Sequence, residues 1–192
     1  MPRAKQFDEE EVLEKAMLLF WKKGYFDTSI TDLIDFLGIS NASIYHTFGG
    51  KKQLFERAFD RYRQKNLGGL QHFLSTQDDV RKGLKGVFEK IITDDSLDED
   101  CKGCFIANTS SELLPTDEQL MQVIRGYRDA VIETFTTFLR KGVASGQISP
   151  DKDLETLASF LYTYMMGLRT VGKLKPDPVE SRASVESILA LL

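Results

Sequence analysis

The chain is short of the residues that build disulfide, metal and membrane chemistry. Cys101 and Cys104 are its only cysteines, too few for the framework of a small secreted scaffold. His46 and His72 are its only histidines and lie far from both cysteines, without finger spacing. A zinc site of about four ligands is therefore improbable, and no metal or other cofactor is expected. No apolar run approaches the roughly 20 residues of a membrane span. The opening residues MPRAKQFDEEE have none of the apolar character of a secretory signal. These absences point to a cytoplasmic protein with no membrane partner. Clean apolar/polar alternation and internal repeats are missing as well, which argues against strands and solenoids.

Positive charge is also scarce overall. The net charge of -4 is unpromising for a nucleic-acid binder until the chain is divided after Asn66. The first part has 11 Lys+Arg against 10 Asp+Glu, a net +1; the remainder has 14 against 19, a net -5. The asymmetry favours contact with phosphates at the N-terminal end. The acidic residues of that end, Asp8 to Glu11 and Glu14, suit the N-terminus of a first helix through its dipole. With 42% hydrophobic and 28% charged residues, 192 residues suffice for one compact body with a small terminal domain.

What is present is helical throughout. Arg3 and Lys5 fit either a short basic arm or a frayed terminus. A first helix is expected over about Asp8–Lys23, closed by Gly24, with Trp21 and Phe26 as packing residues. A second starts after an N-cap at Thr28 or Ser29 and runs to Leu37, where Gly38 ends it. Ser40 or Asn41 caps a third, which buries Ile44 and Phe48 and leaves Asn41, Ala42, Ser43, Tyr45 and His46 facing outward. Two short helices joined by Gly38-Ile39-Ser40, the second with small and hydrogen-bonding side chains outside, have the form of a helix-turn-helix. Lys51 opens a fourth helix, where its charge and the free N–H groups would clamp a phosphate. That helix is expected to pass Asn66 toward Gly68-Gly69 and to link the DNA module to the body. A purely structural helical hairpin with a polar outer face is the competing interpretation.

In these residues the chain resembles the TetR family of bacterial repressors. The matching features are Thr28-Ser29-Ile30, Gly38-Ile39-Ser40, Ile44-Tyr45-His46-Thr47-Phe48, Lys51 and Leu54-Phe55. Ala42 and Thr47 depart from what is common there, so the operator does not follow by analogy. The resemblance implies contacts to a double-stranded DNA operator through Thr28, Ser29, Ser40, Asn41, Ala42, Ser43, Tyr45, His46 and Lys51. It implies an all-α fold of about nine helices: a three-helix DNA-binding domain over residues 1–50 and a helical regulatory and dimerisation domain over 51–192.

Beyond residue 70, helices are expected over about Asp78–Thr93, Cys104–Leu114 with Pro115 as its stop, Asp117–Ser145, Asp151–Gly172 and Pro178–Leu192. The family implies a homodimer through the last two, for which Leu157, Leu161, Tyr164, Leu168, Leu189 and Leu192 supply apolar positions. It also implies a small-molecule pocket, with Phe88, Phe105, Tyr127, Val131, Phe135, Phe160, Tyr164 and Met165 as lining candidates and Asn108 as a polar anchor. The same aromatic spacing is the usual way to fill a helical bundle.

The pair Cys101-x-x-Cys104 admits redox, zinc, structural and sensor interpretations. Redox chemistry of the thioredoxin type lacks its βαβ context. As a sensor, Cys104 would start a helix, with Lys102 near in sequence. Gly103-Cys104-Phe105-Ile106-Ala107-Asn108 also resembles a segment of family members that respond to electrophiles or oxidants. The expectation is a non-enzymatic, dimeric repressor released from a palindromic operator by a small molecule or by thiol modification. A thiol-dependent enzyme using Cys104 and a protein-binding adaptor are the other classes; the first has no base near in sequence.

Overall fold

The computed structural model describes residues 7–113, 117–190 and 192. The Arg3/Lys5 arm and the expected stop at Leu114-Pro115 lie outside them. The described residues form helices α1 Glu9–Lys23, α2 Ile30–Leu37, α3 Asn41–Phe48, α4 Lys51–Ser75, α5 Val80–Leu97, α6 Phe105–Leu113, α7 Glu118–Ala144, α8 Leu154–Val171 and α9 Pro178–Leu189, with a 3-10 turn at Gly172–Leu174. No strand occurs among them.

Most helix starts are written in the sequence as caps. Asp8, Ser29, Ser40, Asp79, Asp117, Asp153 and Asp177 each accept a hydrogen bond from the backbone at the start of their helix. Gly38 ends α2 at φ +69°, a left-handed turn that residues with a Cβ rarely adopt, and so sets α3 across α2.

Two helices outrun their expected ends. α4 continues through Gly68-Gly69 to Ser75, and α5 runs on through the acidic stretch to Leu97. Two glycines inside a helix cost about 1 kcal/mol each relative to alanine. Apolar contacts on both sides offset this: Leu67 before them and Leu70 and Phe73 after them pack against the core, and Leu74 is within it.

The first three helices and the N-terminal half of α4 form a head around Phe20, Leu33, Ile44, Leu54 and Phe59, all essentially without exposed surface. The acidic face of α1 lies along α4. Arg61 bonds Glu14 at 2.9 Å and pairs with Glu10, while Lys65 reaches Glu14 at 3.3 Å and Arg57 reaches Glu9 at 3.5 Å. These carboxylates thus face basic residues of the same protein.

The body is a bundle of α5 to α9 in which α7 and α8 make an extensive antiparallel pair and α5 is wedged between α9 and the rest. Its centre is Phe88, Val131, Phe135, Leu139, Leu161 and Val185.

Head and body meet at α6. Phe105, 2% exposed, is ringed by Trp21 of α1 and by Phe55, Phe59 and Tyr62 of α4, with ring centroids 5.4–6.4 Å apart.

Candidate nucleic-acid interface and its link to the body

The outer face of the helix-turn-helix is built by its caps. Ser29 Oγ accepts from Asp32 N at 3.0 Å, and Ser29 N donates to Asp32 Oδ2 at 2.8 Å, a reciprocal capping box. The Ser29 hydroxyl, with Lys23 at 2.9 Å, holds the Asp32 carboxyl well below the usual carboxylate range. Ser40 Oγ accepts from Ser43 N at 3.1 Å and lies 3.0 Å from Ser43 Oγ. With Ile44 and Phe48 buried, α3 leaves Asn41, Ala42, Tyr45 and His46 exposed and Ser43 half-buried. Tyr45 is 55% exposed although hydrophobic in body, and its ring lies against the Gly50 backbone. An exposed helical face of short polar groups flanked by a phenol suits a groove: small residues admit the helix, and hydroxyl and amide groups reach phosphates and base edges.

Two expected contact residues are placed differently. Thr28 has no exposed surface, because its hydroxyl donates to Gly24 O at 2.6 Å and closes the α1–α2 corner. Ser29 is the cap, and Thr28 is withdrawn from any groove. Lys51 does open α4, beside backbone N–H groups that no side chain caps, but its ammonium sits 4.3 Å from the centre of the Tyr25 ring. Partial burial there pulls its pKa down, against the opposing pull of Glu112, Asp27 and Asp32.

The sequence gives no local sign of how the body holds this head. Glu112, near the end of α6, accepts from Tyr25 N at 3.1 Å and Phe26 N at 2.6 Å, so one carboxylate binds two amides of the α1–α2 corner. At the other end of α6, Trp21 Nε1 donates to Gly103 O at 3.1 Å, and Lys22 pairs with Asp100 at 2.6 Å. Gly103 has φ +62°, and a Cβ there would approach Lys173 side-chain carbons to 2.7 Å and Arg169 O to 3.1 Å. Only glycine fits this backbone between α1 and the end of α8.

Both cysteines are free thiols. Cys104 is 3% exposed, and its carbonyl accepts from Asn108 N at 2.9 Å, the position that caps α6. Lys102 does not serve it: its ammonium is held by Asp98, lies 3.6 Å from Asp100 and sits over the Trp21 ring. Arg169, near the end of α8, is half-buried, and the electrostatic pull of Tyr62, Cys104, Asp95 and Tyr127 raises its pKa against the opposing effect of desolvation. Burial, followed by the nearness of Cys104, pushes the Tyr62 and Tyr127 hydroxyls up. Phe105 N donates to Tyr62 Oη at 3.4 Å, and Asn108 bridges Lys102 O at 2.8 Å and Lys173 Nζ at 3.2 Å. Arg169 was not anticipated from its sequence position; a lone arginine near a helix end is normally solvated.

Phe105 and Phe135 are packed core, and Tyr127 is 7% exposed. Tyr164 bonds Ser184 of α9 at 2.7 Å and stacks edge-on to Phe88. Among the proposed dimer leucines, Leu157, Leu168 and Leu192 are half-buried, while Leu161 and Leu189 have no exposed surface and are spent inside the protomer. The apolar surface on this side is instead Phe160, Val171, Leu174 and Val179.

Such a head, carried by a helical body that grips its first corner, defines a helix-turn-helix DNA-binding transcriptional regulator. The profile for bacterial regulatory proteins of the tetR family matches residues 12–58, and the profile for the tetracyclin repressor-like C-terminal domain matches residues 78–188. The uncharacterized HTH-type transcriptional regulator YezE of Bacillus subtilis is 28% identical over the full length of both chains. The HTH-type transcriptional repressor ComR of Escherichia coli is 30% identical over 86% of this chain and 80% of its own. A cysteine mutant of the TetR family regulator CifR, solved with 26-base-pair double-strand operator DNA, superposes with a TM-score of 0.87 at 28% identity, covering 99% of this chain and 98% of that one. The chain belongs to the TetR family of bacterial transcriptional regulators.

Replacing Glu112 by alanine removes the acceptor of two amides, each bond to a charged group being worth roughly 1.5–3 kcal/mol. Amide exchange at Tyr25 and Phe26 should rise about tenfold or more, measured by hydrogen exchange, with the α7–α8 pair unchanged as control.

Asp95 supplies a pH-dependent term. Burial pushes its carboxyl from 3.8 up to about 6, outweighing the attraction of Arg169. The folded state therefore holds this proton more tightly than the unfolded chain, and stability falls as pH rises from 3.8 through about 6. Asp95→Asn should flatten the pH dependence of the melting temperature across that window and melt higher than wild type above it.

Proposed function

We propose that the protein is a repressor that holds a palindromic operator as a homodimer and releases it when a small molecule or an electrophile acts on the body. On this reading residues 1–50 form the DNA-binding domain and 51–192 the regulatory and dimerisation domain, with α4 linking them. Ser29, Ser40, Asn41, Ala42, Ser43, Tyr45, His46 and Lys51 contact DNA, Lys51 after exchanging the Tyr25 face for a phosphate. Half-buried Leu157 and Leu168 and exposed Phe160 of α8, with half-buried Leu192 just beyond α9, meet the partner. Two heads about 34–36 Å apart would then read successive major grooves on one side of DNA.

The observation that carries the regulatory part is the grip of α6 and the loop before it on the α1–α2 corner, through Gly103 at one end and Glu112 at the other. A change at Cys104 adjoins Gly103, the partner of Trp21, and lies four residues from Asp100, the partner of Lys22. It reaches the head without an intervening element. A difference of a few kcal/mol between seated and unseated arrangements changes occupancy greatly. That operator-bound CifR was captured as a cysteine mutant parallels a thiol-governed release here. Phe105, Asn108, Tyr127, Phe135 and Tyr164 remain candidates for the effector-responsive region, since they surround or buttress α6, α7 and α8. A regulator acting in the cytoplasm, rather than an enzyme, is the reading supported by the similarity along the whole length of the chain to a transcriptional regulator.

Operator affinity measured against salt tests the DNA contacts. Tyr45→Ala and Lys51→Ala should each weaken binding with the dimer intact, and Lys51→Ala should reduce the slope of log affinity against log salt by about one. Unchanged affinity for both would remove the assignment.

Thiol sensing is tested separately by titrating the reduced dimer with a quinone while following operator release. Cys104→Ser should stay bound at concentrations that release wild type, and equal release by the variant sinks this part of the reading.

A further inference from the structure

A cleft of about 230 Å³ lies between the ends of α5 and α8 and the start of α9, and every residue lining it belongs to the body. Its walls are apolar: Ile92 of α5, Leu168 of α8, and Pro176 and Pro178 where the chain enters α9. The volume is below the roughly 300–1,000 Å³ of sites for drug-sized ligands, so only a smaller molecule fits. A Cβ at Gly172 would come within 2.9 Å of Asp95 Cγ, and the glycine thus lets the Asp95 carboxyl lie against the end of α8.

The polar groups in the cleft select its occupant. Ser96 is committed, its hydroxyl donating to Ile92 O at 2.6 Å. Asp95 is not. It is half-buried, and among the described residues no hydrogen bond or ion pair reaches its carboxylate, whose oxygens are both open to solvent. Ser181 of α9 is 9% exposed, and its hydroxyl likewise has no partner among them. A charged acceptor and a hydroxyl therefore share one small apolar space without bonding each other.

Charge decides what they would take. Arg169 of α8 attracts the Asp95 carboxylate from beyond bonding distance, Asp94 and Asp98 of its own helix repel it, and burial outweighs the attraction. Lys175 lines the cleft but is exposed and forms no ion pair with it. The backbone adds to the negative potential. α5 ends at Leu97 and α8 at Val171, so two helix C-termini with partial negative charge flank the cleft. The positive start of α9 is already capped by Asp177, which accepts from Val179 N at 2.8 Å. Water can hydrogen-bond these groups but brings no positive charge, whereas an ammonium brings both donors and charge.

We propose that this cleft binds a small primary alkylamine as its ammonium ion, the N–H groups donating to the Asp95 carboxylate and the Ser181 hydroxyl and the alkyl body lying against Ile92, Leu168, Pro176 and Pro178. A quaternary ammonium lacks the donors, and an anion meets an unpaired carboxylate. The site is separate from Cys104 and involves no covalent step, so it stands whether or not the thiol is a sensor.

The probe is cyclohexylmethylamine, titrated into the full-length protein with labelled isoleucine and leucine methyl groups and followed by NMR. The Ile92 and Leu168 resonances should move together and saturate, while those of Ile148, which packs near Val80 at the opposite end of α5, stay in place. Cyclohexylmethanol, the neutral isostere, and cyclohexanecarboxylate, the anion, should each bind at least about tenfold more weakly. Asp95→Asn keeps the shape of the side chain without its charge and should erase the preference for amine over alcohol. Asp94→Asn removes an exposed charge one residue away, paired with Lys90 at 3.0 Å, and should keep that preference. The methyl spectra without probe report that both variants are folded. Equal binding of amine and alcohol by wild type, an undiminished preference in Asp95→Asn, its loss in both variants alike, or movement of other resonances with Ile92 unmoved overturns the proposal.

Discussion

The contact on which the rest depends is the insertion of Phe105 among four aromatic rings of α1 and α4. A buried phenylalanine of this kind is worth several kcal/mol to the fold, and here it belongs to the body while its socket belongs mainly to the head. The surrounding hydrogen bonds convert that nonspecific burial into a defined orientation. Trp21 to Gly103 fixes one end of the short helix, and Glu112 to the Tyr25 and Phe26 amides fixes the other. Burial alone would permit sliding; three directional bonds at two ends do not.

This arrangement explains the cost the chain accepts nearby. The loop before α6 includes Cys101 at φ +51° and Gly103 at φ +62°, conformations most side chains avoid. Arg169 is half-buried near Cys104 and the Tyr62 and Tyr127 hydroxyls. Asp95, partly buried beside the end of α8, is strained electrostatically in the opposite sense. Unfavourable polar burial thus gathers where head, α6 and α8 converge, while the α7–α8 pair is apolar packing and the α5–α9 contact adds exposed ion pairs of Arg81 and Lys85 with Glu186 and of Arg182 with Glu89. Proteins concentrate such terms where two arrangements must lie close in energy.

The acidic face of α1 illustrates how a correct local inference can be incomplete. Glu9, Glu10 and Glu11 do favour the helix N-terminus. Glu10 and Glu14 are also the partners of Arg61, and Glu14 of Lys65, across α4. Charge that looked unfavourable for DNA contact is therefore neutralised within the head, and the exposed face of α3 carries no carboxylate.

By itself the sequence determined the succession of helices, the caps to within one residue (Thr28 or Ser29, Ser40 or Asn41), the stop at Gly38 and the exposed side of α3, because each depends on residues within about one helical turn. It also set the boundary of the head's apolar face. Tertiary structure decided which apolar positions serve the protomer and which remain for a partner, since Leu161 and Leu157 present the same periodicity and differ only in what lies opposite. It withdrew Thr28 into the corner, laid Lys51 over Tyr25 and extended α4 through two glycines. Above all it made the junction: Trp21 and Gly103 are 82 positions apart and Tyr25 and Glu112 are 87 apart, so neither bond leaves a local pattern to recognise. Hydrogen bonds across such separations exist only after the surrounding apolar surfaces have come together, which is why the DNA-reading module was legible in the chain and its coupling to the body was not.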